Sequence, residues 1–196
     1  TAMSRLQWFE IVIRIITLDY FSIKHTIRAL VKRSELSAHP KILDIGCGTG
    51  ALANIFNSKD YLGFDFDHES ILQARRSFPK YKFIEANAVN PLLGNKRFDL
   101  ILISGVLHHL NNQDLTSALR VVKPHLNKSG KVIIIEAIPP IFRWNIIGRV
   151  LRSVDQGHYI RSLNNYVRLV KRYFKVIDSY QQVGGLVDYG VVFARN

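Results

Sequence analysis

The sequence predicts a single α/β domain: a mostly parallel sheet of seven strands, helices on both faces, and an antiparallel hairpin at one edge. Three observations carry that expectation. Short apolar runs alternate with helix-like segments along most of the 196 residues, the order that a parallel sheet with crossover helices requires. Phe98-Asp99-Leu100-Ile101-Leu102-Ile103 is almost continuously apolar, as a strand covered on both faces must be. Lys41-Ile42-Leu43-Asp44-Ile45-Gly46-Cys47-Gly48-Thr49-Gly50 joins a β-branched apolar run to a turn with three alternating glycines, and such a strand and turn form a ligand-binding device.

Each element has its own signal. In residues 4–33, Leu6, Phe9, Ile13, Ile16, Tyr20, Ile23, Ile27 and Leu30 recur at spacings of three and four, which makes one helical stripe. Asp19 or Ser22 marks a break into two helices. The first strand, Ile42 to Ile45, leads through the glycines into a helix expected at 49–58. Tyr61 to Asp67 reads as the second strand, ended by Asp65. Asp67 and His68 cap a helix at 69–78, because Asp at the N-cap accepts a free backbone N–H. Tyr81 to Ala88 is the third strand and its exit, and 98–103 the fourth. A helix at 112–126 precedes the fifth strand, Lys131 to Glu136, and Pro139-Pro140 ends regular structure. Phe142, Ile146, Ile147, Val150 and Leu151 then mark one side of a short amphipathic helix, with Trp144 near its start. Residues 155–159 read as a loop before a helix at 162–173 capped by Ser162. The runs 173–177 and 186–193, parted by Gly184-Gly185, close the chain as the hairpin.

Composition bounds the function classes. The apolar and charged fractions are those of a globular protein, not a disordered one. Cys47 is the only cysteine, which excludes an intrachain disulfide and fits a reducing, cytoplasmic setting. No run approaches the ~20 apolar residues that a membrane span needs. The formal net charge is +12 and is unevenly spread: residues 141–175 hold eight Lys/Arg against the single acid Asp155. Such asymmetry points to an anionic partner (nucleic acid, an acidic small substrate, a carrier protein or an anionic membrane surface) or to a basic surface with no specific partner. Basic residues flanking apolar and aromatic ones in 142–152 suit a membrane interface or a lipid-like substrate, and they suit a core-facing cap on the sheet equally well.

The glycine turn carries the chemistry. Gly lets the backbone take positive φ and lets a ligand approach without meeting a Cβ. Gly46-x-Gly48-x-x-Ala51 also satisfies a dinucleotide fingerprint, but Asp44 would set a carboxylate near the pyrophosphate, whereas a cationic ligand head would be favoured there. Asp44-x-Gly46-x-Gly48-x-Gly50 resembles motif I of class I S-adenosylmethionine-dependent methyltransferases, which have a Rossmann-like fold. Gly63-Phe64-Asp65 resembles their motif II, and Val106-Leu107-His108-His109-Leu110 resembles a segment of their small-molecule branch, the type 11/12-like methyltransferases.

The resemblance implies S-adenosylmethionine as methyl donor, with no metal. It implies donor contacts from Asp44, Gly46, Cys47, Gly48 and Gly50, from Asp65 to the ribose and Phe66 beside the adenine, and from Asn87, Ala88, Ser104 and Gly105. Asn87 stands where the family often has Asp, so an acceptor oxygen is kept and a charge lost. His108, His109 and His158 are the candidates for a catalytic base, and Tyr20, Trp144, Asp155 and Tyr159 for substrate contacts. The whole of 1–196 is then one methyltransferase domain: an N-terminal helical lid (1–38), a donor-binding core (39–137), substrate-side helices (138–173) and the hairpin (174–196). The expected activity is direct methyl transfer to a small-molecule or lipid-like acceptor, with peripheral contact to anionic membrane. The alternatives are an RNA-directed enzyme using the basic surface and a catalytically silent donor-binding domain. Base methylation at an amino group usually shows D/N-P-P-aromatic where this chain has Ser104-Gly105-Val106-Leu107, and Cys47 is in the wrong loop for attack on a pyrimidine.

Overall fold

The computed structural model describes residues 21–141, 159–184 and 187–196. Seven strands form one sheet: β1 (Ile42–Ile45), β2 (Tyr61–Asp65), β3 (Lys82–Glu85), β4 (Phe98–Ser104), β5 (Leu126–Ala137), β6 (Lys175–Gln182) and β7 (Tyr189–Arg195). Their order across the sheet is β3-β2-β1-β4-β5-β7-β6. The first five pair in parallel, while β7 is antiparallel to both β5 and β6. Six strands therefore point one way and β7 alone runs against them. After β1 the chain goes to β2 and β3 on one side, and β4 lies on the other. Loops leaving the carboxyl ends of β1 and β4 part there, and such a switch point is where open α/β sheets hold ligands.

Alternation along the strands builds two cores. Leu43, Ile45, Leu62, Phe64, Ile101, Ile103, Val132, Ile134 and Val192 pack on one face, against Leu115, Leu119 and Val122 of α3 (Asn112–Val122) and Tyr166, Leu169 and Val170 of α4 (Leu163–Val170). Ile42, Tyr61, Phe83, Leu100, Leu102, Ile133 and Phe193 pack on the other, against Ile27 and Leu30 of α1 (helical over 21–33) and Ile71 and Ala74 of α2 (His68–Ser77). A period of two sends successive side chains to opposite faces, so a strand apolar at every position supplies both cores. Polar pairs fix α1 across its face: Thr26 Oγ1 donates to Gln182 Oε1 at 2.7 Å, and Lys24 Nζ to Asn54 Oδ1 at 2.8 Å.

Of the expected caps Asp67 is present: its Oδ2 accepts from Ser70 N at 3.0 Å and starts α2. His68 pairs through Nδ1 with Glu85 Oε2 at 2.8 Å instead. Ser162 stands at the N-cap of α4 without a side-chain capping bond. Asn111, which was not expected as a cap, starts α3, where its Oδ1 accepts from Gln113 N and Asp114 N.

Three expected helices are shorter than their patterns suggest. The helix expected at 49–58 is only a 3-10 turn, Ala53–Ile55. Asn54, Phe56, Asn57 and Ser58 are weak helix formers, and only ten residues separate Gly50 from β2, a short span in which to repay nucleation. α4 ends at Val170 rather than 173, and α3 passes into a 3-10 turn at Lys123–His125, which holds Pro124. No helix among the described residues is long and apolar enough to cross a membrane. Residues 4–20, and the amphipathic segment from Phe142 onward, lie outside the described residues.

Candidate active site

The glycine turn sits at the end of β1. Gly46, Gly48 and Gly50 all have positive φ, at 68°, 50° and 78°, where a Cβ would clash with the backbone. At Gly46 the constraint is doubled, because a Cβ there would lie 2.2 Å from Cγ2 of Val106. Phe64 O accepts from the N–H groups of both Gly46 and Cys47, at 2.8 and 2.9 Å. The turn is thus held by β2 as well as by its own conformation.

Asp65 ends β2 and faces the turn. Its Oδ2 accepts from Gly48 N at 2.8 Å and its Oδ1 from Asp67 N at 3.0 Å. Each carboxylate oxygen has a further lone pair, and the two N–H groups fix where it points. A cavity of about 430 Å³ opens beside it. Gly46, Gly48, Phe64 and Asp65 form its floor, Phe66, Ala86, Asn87 and Ala88 one wall, and Gly105, Val106, His109 and Leu110 the other. Phe66 is 75% exposed, a ring offered to solvent at the cavity mouth. Asn87 Oδ1 accepts from Val89 N at 3.0 Å, so its oxygen is partly used within its own loop.

Four of the residues expected at the donor stand off the cavity. Asp44, at the centre of β1, is 1% exposed, and its Oδ2 accepts from the Tyr61 hydroxyl at 2.6 Å. The expectation that it meets a cationic ligand head directly is corrected by the pleat, which turns it into the α1–α2 core. Gly63 lies opposite it in β2, and a Cβ at Gly63 would sit 2.9 Å from both Cys47 Sγ and Tyr61 Oη. That glycine makes room for the Cys47 and Tyr61 side chains. Burial pushes the Asp44 carboxyl up to about 7, against the lowering effect of the Tyr61 hydroxyl and with a smaller push from Asp65. Burial likewise raises the Cys47 thiol, with Asp44 and Asp65 adding to it, so Cys47 is a packed thiol, not a nucleophile. Gly50 backs onto Phe83 and Phe78, and Ser104 ends β4 paired with Ile135. Gly105, with φ of 70°, reaches the cavity in its place.

The second wall is a single 3-10 turn, Leu107–His109, and two buried charges hold it. Glu136, at the end of β5 and 0% exposed, accepts from Val106 N at 2.9 Å and Leu107 N at 2.8 Å through Oε1, and from His108 N at 3.3 Å through Oε2. Its Oε2 also accepts from Nδ1 of His108 at 2.8 Å. Arg161 acts at the other end of the turn, where Nη1 donates to Leu107 O at 2.9 Å and Nη2 to Leu110 O at 2.7 Å. His108 is 7% exposed, and its ring centroid lies 4.0 Å from that of His109. His109, not His108, faces the cavity. Tyr159 is brought to the same turn, its N–H donating to His108 O at 2.9 Å.

Tyr20, Trp144, Asp155 and His158 lie outside the described residues. Glu136 and Arg161 were not among the expected site residues. A glutamate ending an otherwise apolar strand, Ile133-Ile134-Ile135-Glu136, is the local signal for the first, since a buried carboxylate needs donors. Nothing near Arg161 in sequence distinguishes it from the other basic residues. Among the described residues no three His, Cys, Asp or Glu gather to hold a metal ion.

Comparison with known proteins bears on the same stretch. Residues 42–130 match the family model described as "Methyltransferase domain", a span that includes the glycine turn, Asp65, Asn87 and the histidine turn. The chain is 30% identical over 101 residues to "Caffeate O-methyltransferase-like protein 2" of Oryza sativa subsp. japonica, half of this chain and 28% of that one. It is 22% identical over 165 residues to "Probable cobalt-precorrin-6B C(15)-methyltransferase (decarboxylating)" of Methanobrevibacter smithii, 72% of this chain and 86% of that one. The chain thus spans about a quarter of the first relative and most of the second. Its fold is that of magnesium protoporphyrin IX methyltransferase from Synechocystis PCC 6803 with bound SAH, with a TM-score of 0.73 and 12% identity, covering 100% of this chain and 89% of that one. The donor site fits: a fixed carboxylate with spare lone pairs, an exposed ring and a positive-φ glycine turn surround a cavity of about 430 Å³. Residues 42–130 are thus a methyltransferase domain, and the fold and the cavity at its glycine turn are those of class I S-adenosylmethionine-dependent methyltransferases.

Proposed function

We propose that the chain transfers the methyl group of S-adenosylmethionine directly to a small organic acceptor, by in-line displacement. One observation carries the reading: Asp65 is pinned by Gly48 N and Asp67 N with its remaining lone pairs directed at a cavity walled by Phe66 and the histidine turn. When bound, the donor supplies a methyl on a sulfonium, and the electron pair of the breaking S–C bond stays on sulfur. The chain's residues orient and exclude water. Asp65 accepts from ribose hydroxyls, and a charged acceptor makes such bonds strong. Phe66 covers the adenine, and the backbone of Gly105 meets the amino-acid end. Alignment of the acceptor supplies most of the remaining rate.

An acceptor O–H or N–H must lose a proton as its lone pair forms the new bond to carbon. His109 is the imidazole that faces the cavity, and we assign it that proton. A second reading is favoured by the Glu136 contact: a carboxylate on Nδ1 fixes the tautomer and raises the basicity of Nε2, which suits His108 as base. The two readings differ in how the acid limb of the pH–rate profile responds to His109→Ala and His108→Ala. The acceptor class rests on the relatives, whose names specify a caffeate oxygen, a precorrin carbon and a protoporphyrin; a lipid-like acceptor remains within that class, and peripheral membrane contact is then a property of the acceptor side. The test is transfer of tritiated methyl from S-adenosylmethionine to separate small-molecule, RNA and protein pools. Label in the organic small-molecule pool is expected. Label confined to RNA would overturn the acceptor class, and no label in any pool would favour a silent binding domain.

A further inference from the structure

We propose that Arg161 is a positioning residue for methyl transfer: it fastens the acceptor-side segment Tyr159-Ile160-Arg161 to the turn that walls the donor cavity. Arg161 is 9% exposed, and its planar guanidinium gives four hydrogen bonds. Nη1 donates to Leu107 O at 2.9 Å and Tyr159 O at 2.8 Å, Nη2 to Leu110 O at 2.7 Å, and Nε to Asn112 Oδ1 at 2.9 Å. Its Cζ lies 5.7 Å from the centroid of the Tyr159 ring and 5.9 Å from that of Tyr166. Three separate parts of the chain, the turn 107–110, the first residue of α3 and the segment 159–161, therefore meet on one cation.

Opposite charges end the turn in the order that its dipoles favour. The N–H groups at its start meet the carboxylate of Glu136, and the carbonyls at its finish meet Arg161, the arrangement that stabilises helical ends. The peptide units around Leu107 thus link the two charges: its N–H donates to Glu136 and its carbonyl accepts from Arg161. A lone 3-10 turn has little rigidity of its own, so its place depends on these two side chains. Its place matters because Val106 lies against Gly46 so closely that a Cβ there would be 2.2 Å away. A shift of the turn moves both walls of the donor cavity together. Lys in place of Arg cannot reproduce this, having one charge centre where four acceptors are spread around a planar fork.

The inference depends on the methyl-transfer reading for its catalytic consequence, and its test separates the two. Amide hydrogen exchange and S-adenosylhomocysteine titration are measured on the full chain for wild type, Arg161→Lys and Arg161→Met, with the melting temperature as control. Faster exchange is expected at His109, Leu110 and Tyr159, with β1 and β2 unchanged, and affinity for S-adenosylhomocysteine weaker by roughly tenfold. Arg161→Lys should resemble Arg161→Met. Unchanged exchange in the turn, faster exchange spread evenly over the sheet, or full affinity in Arg161→Lys would overturn the proposal. If Arg161→Met does not fold, Glu136→Gln holds the shape and should loosen Val106, Leu107 and His108 instead; protection unchanged there also overturns it. Wild type that binds no S-adenosylhomocysteine contradicts the donor site, while the exchange result still decides the clamp.

Discussion

The two walls of the cavity are built on different principles. The donor wall, from β1, β2 and β3, is made mostly of backbone: three positive-φ glycines, a carboxylate fixed by two neighbouring N–H groups, and a loop closed by Asn87 on Val89. Its turn contacts are short in sequence, 17 residues from Gly48 to Asp65 and 18 from Gly46 to Phe64. The histidine wall is made of side chains reaching backbone over long separations, 28 to 30 residues for Glu136 and 51 to 54 for Arg161 on the turn carbonyls. The donor wall forms with its own strands. The histidine wall exists only after β5 and the segment before α4 have reached it.

The largest expected effect falls on the histidine wall. Glu136→Ala leaves three N–H groups without their acceptor and Arg161 without a charge opposite, and breaking such a buried network costs about 3–5 kcal/mol. Denaturant midpoints measure it, and a loss under about 1 kcal/mol would mean that the turn finds other acceptors. Next comes the point where the walls touch. Gly46→Ala puts a methyl into Val106 at a φ that strains alanine, with an expected cost of about 1–3 kcal/mol. Val106→Ala in the same chain should recover the steric share and leave the conformational one. Full additivity in that cycle would show that the walls do not share a contact.

The smallest effect is one of pH. Burial raises the Asp44 carboxyl from 3.8 to about 7, so the folded chain holds a proton that the unfolded chain gives up. Asp44's contribution to stability is then fully present below about pH 4 and lost as pH rises through about 7. Donor binding runs the other way, because a sulfonium beyond the turn favours the ionised carboxylate. Preference for S-adenosylmethionine over its neutral-sulfur product should rise a few-fold between about pH 6 and 8, and paired titrations would measure it. Asp44→Asn should abolish the rise. Tyr61→Phe should move it to higher pH, because the lost hydroxyl lowers the Asp44 pKa in the native chain. A preference flat with pH in the native chain would remove Asp44 from donor binding altogether.

The same contrast explains what could be read from sequence. The succession of strands along the chain, the glycine turn and Asp65 are legible because their signals are local: an apolar run, a glycine spacing, an acid at a strand tip. The placement of Phe66 followed from its neighbour. Asp44 was read from its motif but misplaced, since its direction depends on the pleat and on Gly63 in the next strand. The helix expected after Gly50 fails because the residues 51–56 that suggested it do not outweigh poor helix formers and a short span to β2. Glu136 and Arg161 were illegible for a different reason. Their partners are main-chain groups, which every residue has, so no residue type at the far end signals the contact.

The central claim is that the cavity beside Asp65 holds the adenosyl part of the methyl donor. Calorimetric titration of S-adenosylhomocysteine into wild type and Asp65→Ala, at about pH 8 with NAD as a control ligand, tests it most directly. The account predicts binding by wild type, none of NAD, and a loss of roughly 30-fold or more in the variant, the value of about 2 kcal/mol for hydrogen bonds to a charged acceptor. Equal binding by both proteins, or preference for NAD, would contradict it.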